Sequence, residues 1–287
     1  VNPEPQIDNF TETICEGDTF ATITPENDIN GVVPSGTTYT WVIASESSGN
    51  IEGSSASTDA SATIPGSELT LSDGTTSPQD LIYTVTPTSS EGCEGEPFTV
   101  TITVNPIAQV NLPENLTLCN GDSAIMDFTT LNEGGDTIYA WQVIFDESDD
   151  IGEITTEGSG EGNINLPVVN ETFDIVTAKI EVTPTFINNG IECEGPSKEF
   201  TITVLPNVEL IPIDDITICH GEVLEVDFQT NFTGGTISYS WESSETIFLE
   251  TVGNQGTDSS LNFEVVNNNP NSTLISTITV IPTYTFN

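Results

Sequence analysis

The chain has 287 residues, of which 35% are hydrophobic, and it carries 45 acidic residues against two basic ones, for a formal net charge of −43 at pH 7. Binding to nucleic acid or to an anionic membrane surface needs clustered Lys and Arg, so this composition excludes both. No apolar run approaches the ~18 residues that cross a bilayer, so we expect no membrane insertion. The length predicts two or three domains, and the apolar content is sufficient for their cores.

A repeated unit of 100 residues is marked most clearly by the tryptophans at 41, 141 and 241. In chain order, each unit has a Cys-x-Gly turn that ends in Asp or Glu, a Tyr-x-Trp strand and a strand that ends in Pro. The first two units add a second Cys-x-Gly and a final Thr-rich strand. The landmarks are Cys15, Tyr39, Trp41, Pro87 and Cys93, then Cys119, Tyr139, Trp141, Pro184 and Cys193, then Cys219, Tyr239, Trp241 and Pro282. This period predicts one small sandwich domain per unit.

Prolines that follow the final strands mark the domain boundaries. We expect residues 1–3 to end a preceding repeat, 4–106 and 107–206 to be complete repeats, and 207–287 to be a third repeat without its last strand and second Cys. The joints at Pro106 and Pro206 contain no Gly, so we expect them to be stiff. The predicted architecture is an extended rod of domains arranged end to end.

The local pattern is that of β-strands throughout. In residues 98–104, Phe, Val, Ile and Val alternate with Thr, which places the apolar side chains on one face. Tyr and Trp two residues apart also share a face, so we predict that each pair packs in a core. These core residues are Tyr39, Trp41, Tyr139, Trp141, Tyr239 and Trp241. No segment shows helical periodicity, and the predicted fold class is all-β, as tandem Ig-like sandwiches.

The first two repeats hold two cysteines each at matching positions, and the third holds one. We predict the disulfides Cys15–Cys93 and Cys119–Cys193, and for Cys219 a partner beyond Asn287. The alternatives are reduced, buried thiols or a metal site, although no Cys-x-x-Cys pair or spaced His supports zinc. Disulfides persist in oxidising surroundings, so this interpretation predicts an extracellular protein.

The order of these motifs, ending in the strand at residues 98–106 (FTVTITVNP), resembles the PKD-like repeats of Bacteroidetes cell-surface proteins. The best-known carriers are the large SprB-type gliding-motility adhesins, which the type IX secretion system exports. One element departs from the standard PKD pattern, W-x-F-G-D-G, since Val-Ile-Ala follows Trp41 and Gln-Val-Ile follows Trp141. The resemblance therefore implies a PKD-like or Ig-like domain rather than a standard PKD domain.

The resemblance also implies a location and partners. It places the chain on the exterior of a bacterial outer membrane, in a filament that makes adhesive contacts. The implied partners are neighbouring repeats of the same chain, the motility or secretion machinery, and an external surface or polysaccharide.

Catalysis finds little support in the sequence. The single histidine, His220, occupies a turn position where the other repeats have Glu16 and Asn120. A catalytic base would not be replaced so freely among equivalent repeats. The adjacent carboxylates Asp149-Asp150 and Asp214-Asp215 suggest glycosidase acids, but no aromatic sugar platform accompanies them. We therefore predict that the chain is not an enzyme and binds no organic cofactor.

Calcium is the one candidate cofactor, because hard cations prefer clustered carboxylate and carbonyl oxygens. The candidate ligands are the acids of the recurring turn and a pair near a domain joint: Glu16, Asp18, Asp122, Glu222, Asp214 and Asp215. No D-x-D-x-D-G loop occurs, and the alternative is a solvated acidic face that keeps a long filament soluble.

Two segments match the Asp-(Ser/Thr)-aliphatic signature of Bacteroidetes O-glycosylation, which makes Ser123 and Thr137 candidate glycosylation sites. Three-residue matches also arise by chance in Thr-rich sequence.

The leading functional hypothesis is a structural and adhesive spacer in a cell-surface filament. The alternatives are an array of modules that bind carbohydrate or another ligand, and accessory domains of a secreted hydrolase. Few aromatic residues remain outside the predicted cores, among them Phe145, Phe173 and Phe248, which weakens the carbohydrate hypothesis.

Overall fold

The computed structural model describes residues 2–144, 159–232, 235–247, 253–269 and 271–286. Every regular element among them is a β-strand, so the all-β prediction is confirmed. The described part of the chain accordingly holds no helix long and apolar enough to cross a bilayer. Asp149, Asp150, Phe145 and Phe248 lie outside the described residues.

The first repeat is a two-layered sandwich. Its strands are β1 (Gln6–Ile7), β2 (Phe10–Cys15), β3 (Gly31–Val32), β4 (Thr38–Ile43), β5 (Ile51–Glu52), β6 (Thr70–Leu71), β7 (Gln79–Thr88) and β8 (Phe98–Asn105). The main sheet has the order β2-β8-β7-β4, in which β2 pairs with β8 in parallel and the other pairs are antiparallel. The pairs β1–β3 and β5–β6 lie outside this sheet.

The second repeat has the same plan, with longer counterparts of β4 and β7. These are β9 (Leu116–Cys119), β10 (Ser123–Met126), β11 (Asp136–Ile144), β12 (Ser159–Glu161), β13 (Ile164–Pro167), β14 (Val176–Asn188), β15 (Ile191–Glu194) and β16 (Lys198–Leu205). The main sheet has the order β12-β11-β14-β16-β9, with β15 also paired to β14. Here β9 pairs with β16 in parallel, as β2 does with β8.

The third repeat contains β17 (Val223–Asp227), β18 (Thr236–Ser243), β19 (Gln255–Gly256), β20 (Ser260–Glu264) and β21 (Ile278–Thr285). Residues 216–219, which correspond to β9, are not in a strand. The parallel ladder with β16 holds β9 in place, and the described residues of the third repeat include no strand in the position of β16.

The Tyr-x-Trp strand has one register in all three repeats. Tyr lies opposite Pro and Trp opposite Val: Tyr39–Pro87 and Trp41–Val85, Tyr139–Pro184 and Trp141–Val182, Tyr239–Pro282 and Trp241–Val280. The Pro87 carbonyl accepts a hydrogen bond from Gly95 N–H at 2.9 Å, on the strand edge that faces away from Tyr39. The nitrogen of a strand residue points to the same edge as its carbonyl, so a proline here removes no bond from the β4–β7 ladder.

Three hydrophobic clusters form the cores, one in each repeat. Tyr39, Trp141 and Trp241 are buried in them. Their counterparts Trp41, Tyr139 and Tyr239 are half-buried and pack against the same clusters. Ring contacts link these tyrosines to phenylalanines of the cores: Tyr39 to Phe98, Tyr139 to Phe128 and Tyr239 to Phe228.

Core packing in the second repeat can be tested with two isoleucines. Ile202 is fully buried in β16, whereas Ile138 in β11 is 53% exposed. We expect Ile202→Ala to lower the free energy of unfolding of this repeat by about 2–5 kcal/mol, because it leaves a cavity in a packed core. The matched control Ile138→Ala should change it by less than about 0.5 kcal/mol. Urea unfolding followed by tryptophan fluorescence measures both, and equal effects would contradict the assigned core.

Candidate functional site at the junction of the first two repeats

The Cys-x-Gly turn has the same geometry in each repeat. Its glycines, Gly17, Gly121 and Gly221, have φ of 87°, 88° and 83°, a conformation that disfavours side chains. Each glycine N–H donates to a carbonyl of the facing segment at 2.8–2.9 Å, those of Leu69, Val168 and Val265. In each repeat, the turn therefore connects the cysteine-bearing segment to the segment that faces it by a backbone hydrogen bond.

The acidic residue after the glycine closes the same turn. In the second repeat, Asp122 Oδ2 accepts a hydrogen bond from Cys119 N–H at 2.9 Å. In the third, Glu222 Oε2 accepts the equivalent bond from Cys219 N–H at 2.9 Å. These carboxylates, proposed from the sequence as calcium ligands, thus have a structural role in the turn.

The variable residue of the turn is a hydrogen-bond acceptor in every repeat. Asn120 Oδ1 accepts from Asn170 N–H at 2.8 Å, and His220 Nδ1 accepts from Asn267 N–H at 3.1 Å. Glu16 Oε1 makes a longer bond, 3.4 Å, with the N–H of Leu71. The side chains of Glu, Asn and His each carry an acceptor atom that can reach the backbone N–H of the facing segment. This common property explains why the three residue types replace one another in equivalent turns.

The candidate calcium ligands are not brought together. Asp214 and Asp215 are exposed residues outside any strand. Within the described ranges, no three His, Cys, Asp or Glu side chains are placed to hold a metal ion.

The two candidate glycosylation sites differ in accessibility. Ser123 is exposed at the start of β10. The hydroxyl oxygen of Thr137 is buried without a hydrogen-bond partner, so a glycan on it does not fit the folded domain. The prediction for Thr137 is therefore wrong for the folded state.

The disulfide in the structure joins the first two repeats. Cys15 is bonded to Cys193, with a Cα–Cα distance of 5.5 Å and a sequence separation of 178 residues. Cys93, Cys119 and Cys219 are free. The predicted intra-repeat pairings, Cys15–Cys93 and Cys119–Cys193, are thus both wrong.

Strand direction is the physical reason for the error. Cys15 ends β2 opposite Asn105, the last residue of the parallel strand β8. Cys93 precedes Phe98, the first residue of β8, so it lies at the other end of that strand. Eight strand residues span more than about 20 Å, whereas the Cα atoms of a disulfide lie about 4.4–6.8 Å apart. The same argument separates Cys119 from Cys193 in the second repeat.

The β14–β15 hairpin carries Cys193 to the first repeat. Its turn residues Asn189 and Gly190 have φ of 51° and 76°, as a tight two-residue hairpin requires. The preceding residue, Asn188, donates from Nδ2 to Asn105 Oδ1 at 2.9 Å, and Asn105 Nδ2 donates to Asn188 O at 3.2 Å. Asn105 is fully buried, so this paired amide satisfies a polar group that would otherwise be costly at the junction.

A second contact lies in other loops of the junction. Glu133 N–H donates to Thr76 O at 2.9 Å, and Gly134 packs closely against Pro78. The connecting segment between the repeats is itself buried at Pro106 and Ala108. The disulfide hairpin, the connecting segment and this loop contact hold the two domains at three places, so their relative orientation is constrained.

The two lysines of the chain are both engaged in contacts, and three tyrosines have shifted pKa values. Lys179 pairs with Glu199 at 2.6 Å on the surface, and Lys198 donates to Val110 O at 2.7 Å. Burial raises the pKa of Tyr39, Tyr83 and Tyr139 above the ordinary value of 10.0, so these phenols stay neutral at physiological pH.

Comparison with known proteins agrees with this fold. Residues 12–108 match the family model of a PKD-like domain. The chain is thus an all-β protein with an Ig-like or PKD-like sandwich fold. No curated protein matches it in sequence.

Several solved structures show distant similarity. The titin I-band fragment I67–I69 is 12% identical, with a TM-score of 0.38, and the match covers 97% of this chain and 86% of that one. Three N-terminal domains of the Hoc capsid protein of bacteriophage RB49 are 15% identical, with a TM-score of 0.36 and coverage of 85% and 75%. Drosophila N-cadherin EC1–4 is 13% identical, with a TM-score of 0.33 and coverage of 97% and 73%.

The acceptor in the turn can be tested in the second repeat. Asn120→Ala removes the partner of Asn170 N–H, and a lost hydrogen bond of this kind costs about 1 kcal/mol. Asn120→His places the residue of the third repeat at the same position and should restore at least half of that loss. Urea unfolding measures both variants. Equal destabilisation by Ala and His would show that the acceptor is not what the turn requires.

The disulfide can be mapped directly. Trypsin has only two lysines to cut, so a Glu-specific protease is the suitable reagent. After the thiols are alkylated without reduction, we expect a linked peptide pair containing Cys15 and Cys193. Cys93, Cys119 and Cys219 should carry the alkyl group. A linked pair containing Cys15 and Cys93 would contradict the structure.

Proposed function

We propose that the chain is a load-bearing structural and adhesive segment of an extracellular surface filament, with its domains arranged end to end, and that it has no enzymatic activity. The observation that carries the proposal is the covalent junction between Cys15 and Cys193. PKD-like and Ig-like domains are typical of adhesion proteins and extracellular repeat modules, and a disulfide indicates an oxidising environment.

The position of the disulfide matters for a chain under tension. When the chain is pulled from its ends, force reaching Cys15 passes across the sulfur–sulfur bond to Cys193. The intervening chain, most of both complete repeats, then carries no tension along its backbone. The cores of the two domains are therefore shielded from mechanical unravelling, as a filament that transmits force requires.

The junction fixes the relative orientation of the two domains in addition to joining them covalently. A flexible linker would let neighbouring domains fold back on one another. Here the buried Asn105–Asn188 pair and the Thr76–Glu133 hydrogen bond accompany the disulfide. These contacts support a stiff spacer that holds an adhesive region away from the cell.

The motif order supports a more specific role. We propose that the filament is a gliding-motility adhesin on the outer-membrane exterior of a Bacteroidetes cell, exported by type IX secretion. Its partners would be neighbouring repeats, the motility or secretion machinery and an external surface or polysaccharide. The formal net charge of −43 suits such a filament, because self-repulsion resists aggregation.

Single-molecule force spectroscopy tests the load-bearing role. In the oxidised 287-residue chain, we expect stretching to extend only the residues outside the disulfide loop. Reduction should add the 178-residue separation, which at ~3.6 Å per residue is about 60 nm of contour length.

Two variants serve as controls. Cys15→Ser should give the longer contour length with or without reductant, and Cys119→Ser should behave as the unmodified chain. The load-bearing proposal fails if the oxidised, unmodified chain already extends by the full length.

A further inference from the structure

Cys119 occupies in the second repeat the place that Cys15 occupies in the first. Cys15 lies opposite Asn105 at the end of a parallel ladder, and Cys119 lies opposite Leu205 at the end of the corresponding ladder. The carbonyl of each cysteine accepts a hydrogen bond within its turn, from Asp18 N–H at 3.0 Å or from Asp122 N–H at 3.1 Å. Cys119 is therefore exposed at the end of the second repeat that faces the third.

Cys93 likewise occupies in the first repeat the place of Cys193. The next residue pairs with the corresponding Thr in both cases, Glu94 with Thr88 and Glu194 with Thr185. The glycine that follows packs directly on the chain segment entering the domain: Gly95 on Pro5, and Gly195 on Ala108. The residues before these segments also correspond, since Asn2-Pro3 repeats Asn105-Pro106.

We propose that Cys119 and Cys93 each form an inter-repeat disulfide with a further repeat of the same kind. Cys119 bonds the second cysteine of the following repeat, and Cys93 bonds the first cysteine of the preceding one. By the same rule, the partner of Cys219 belongs to a fourth repeat and not to its own. Each bond joins two thiols and releases two protons and two electrons, which reduce a disulfide such as oxidised glutathione to two thiols.

The consequence for a long array rests on the proposed function, whereas the pairing itself does not. A disulfide from Cys119 to the next repeat would enclose part of the chain that the Cys15–Cys193 disulfide also encloses. Under tension, the shortest covalent path would run from Cys15 to Cys193, along the chain to Cys219, and across the disulfide that Cys219 forms with the fourth repeat. Only the short segments between these disulfides would then carry force along the backbone, which makes the whole array nearly inextensible.

The junction after the second repeat can be completed with residues that the chain already contains. Pro282 and Pro184 hold the same register position opposite Tyr239 and Tyr139, so Asn287 corresponds to Asn189. Adding a copy of residues 190–206 after Asn287 therefore supplies the second cysteine and the last strand of the third repeat. After refolding with oxidised glutathione, peptide mapping should show Cys119 linked to the added cysteine and Cys15 still linked to Cys193.

The number of alkylated thiols provides the control. The extended chain should leave Cys93 and Cys219 free, and Cys119→Ser should leave the added cysteine free as well. A bond between the added cysteine and Cys219, or a reduced Cys119 in the extended chain, would overturn the proposal. Neither result depends on force, so this test can fail while the load-bearing role stands.

A second variant tests Cys93 independently of the added strand. Residues 107–203 placed before Val1 put a complete second repeat upstream, because Val1-Asn2-Pro3 corresponds to the residues that follow position 203. We expect Cys93 to become linked to the upstream copy of Cys119, and Cys119→Ser in that copy to leave Cys93 alkylated. A free Cys93 in a chain whose upstream repeat is folded, as judged by its unfolding transition, would also overturn the proposal.

Discussion

The parallel pairing between the strand that ends in the first cysteine of a repeat and the last strand of that repeat is the constraint on which the rest of the structure depends. Because β2 and β8 run in the same direction, both end where the next repeat begins, and the cysteine that closes β2 is delivered to the junction. The second cysteine follows the long strand β14 back to the opposite end of its own repeat. Two cysteines of one repeat thus lie at opposite ends, and each is positioned for a neighbour.

The junction combines covalent and non-covalent constraints that reinforce one another. The disulfide fixes one edge of the interface, while the Asn105–Asn188 amide pair and the Thr76–Glu133 bond fix other points. Each hydrogen bond alone contributes about 1 kcal/mol. Held at several separated places, the two sandwiches have little freedom to rotate relative to one another.

The turn motif illustrates how chemistry that suggests a ligand site can serve the fold. Its acid accepts the cysteine N–H, its glycine supplies a left-handed conformation, and its variable residue accepts a backbone N–H from across the sandwich. Asp122 and Glu222 are carboxylates at recurring positions, which in an acidic chain resembles a calcium motif, yet their oxygens are used locally. His220 is understood in the same way, as an acceptor that Asn120 or Glu16 replaces.

The sequence by itself determined the repeat period, the all-β class and the face that each Tyr-x-Trp pair presents, because these follow from local alternation and from spacing along the chain. It also located all five cysteines on equivalent positions. Only the tertiary structure decided which of them meet. Pairing depends on whether β2 runs parallel or antiparallel to β8, and an alternating strand has the same pattern in either direction. The burial of the Thr137 hydroxyl could not be predicted from the sequence either, because it depends on the side chains that pack around the strand and not on the three-residue motif.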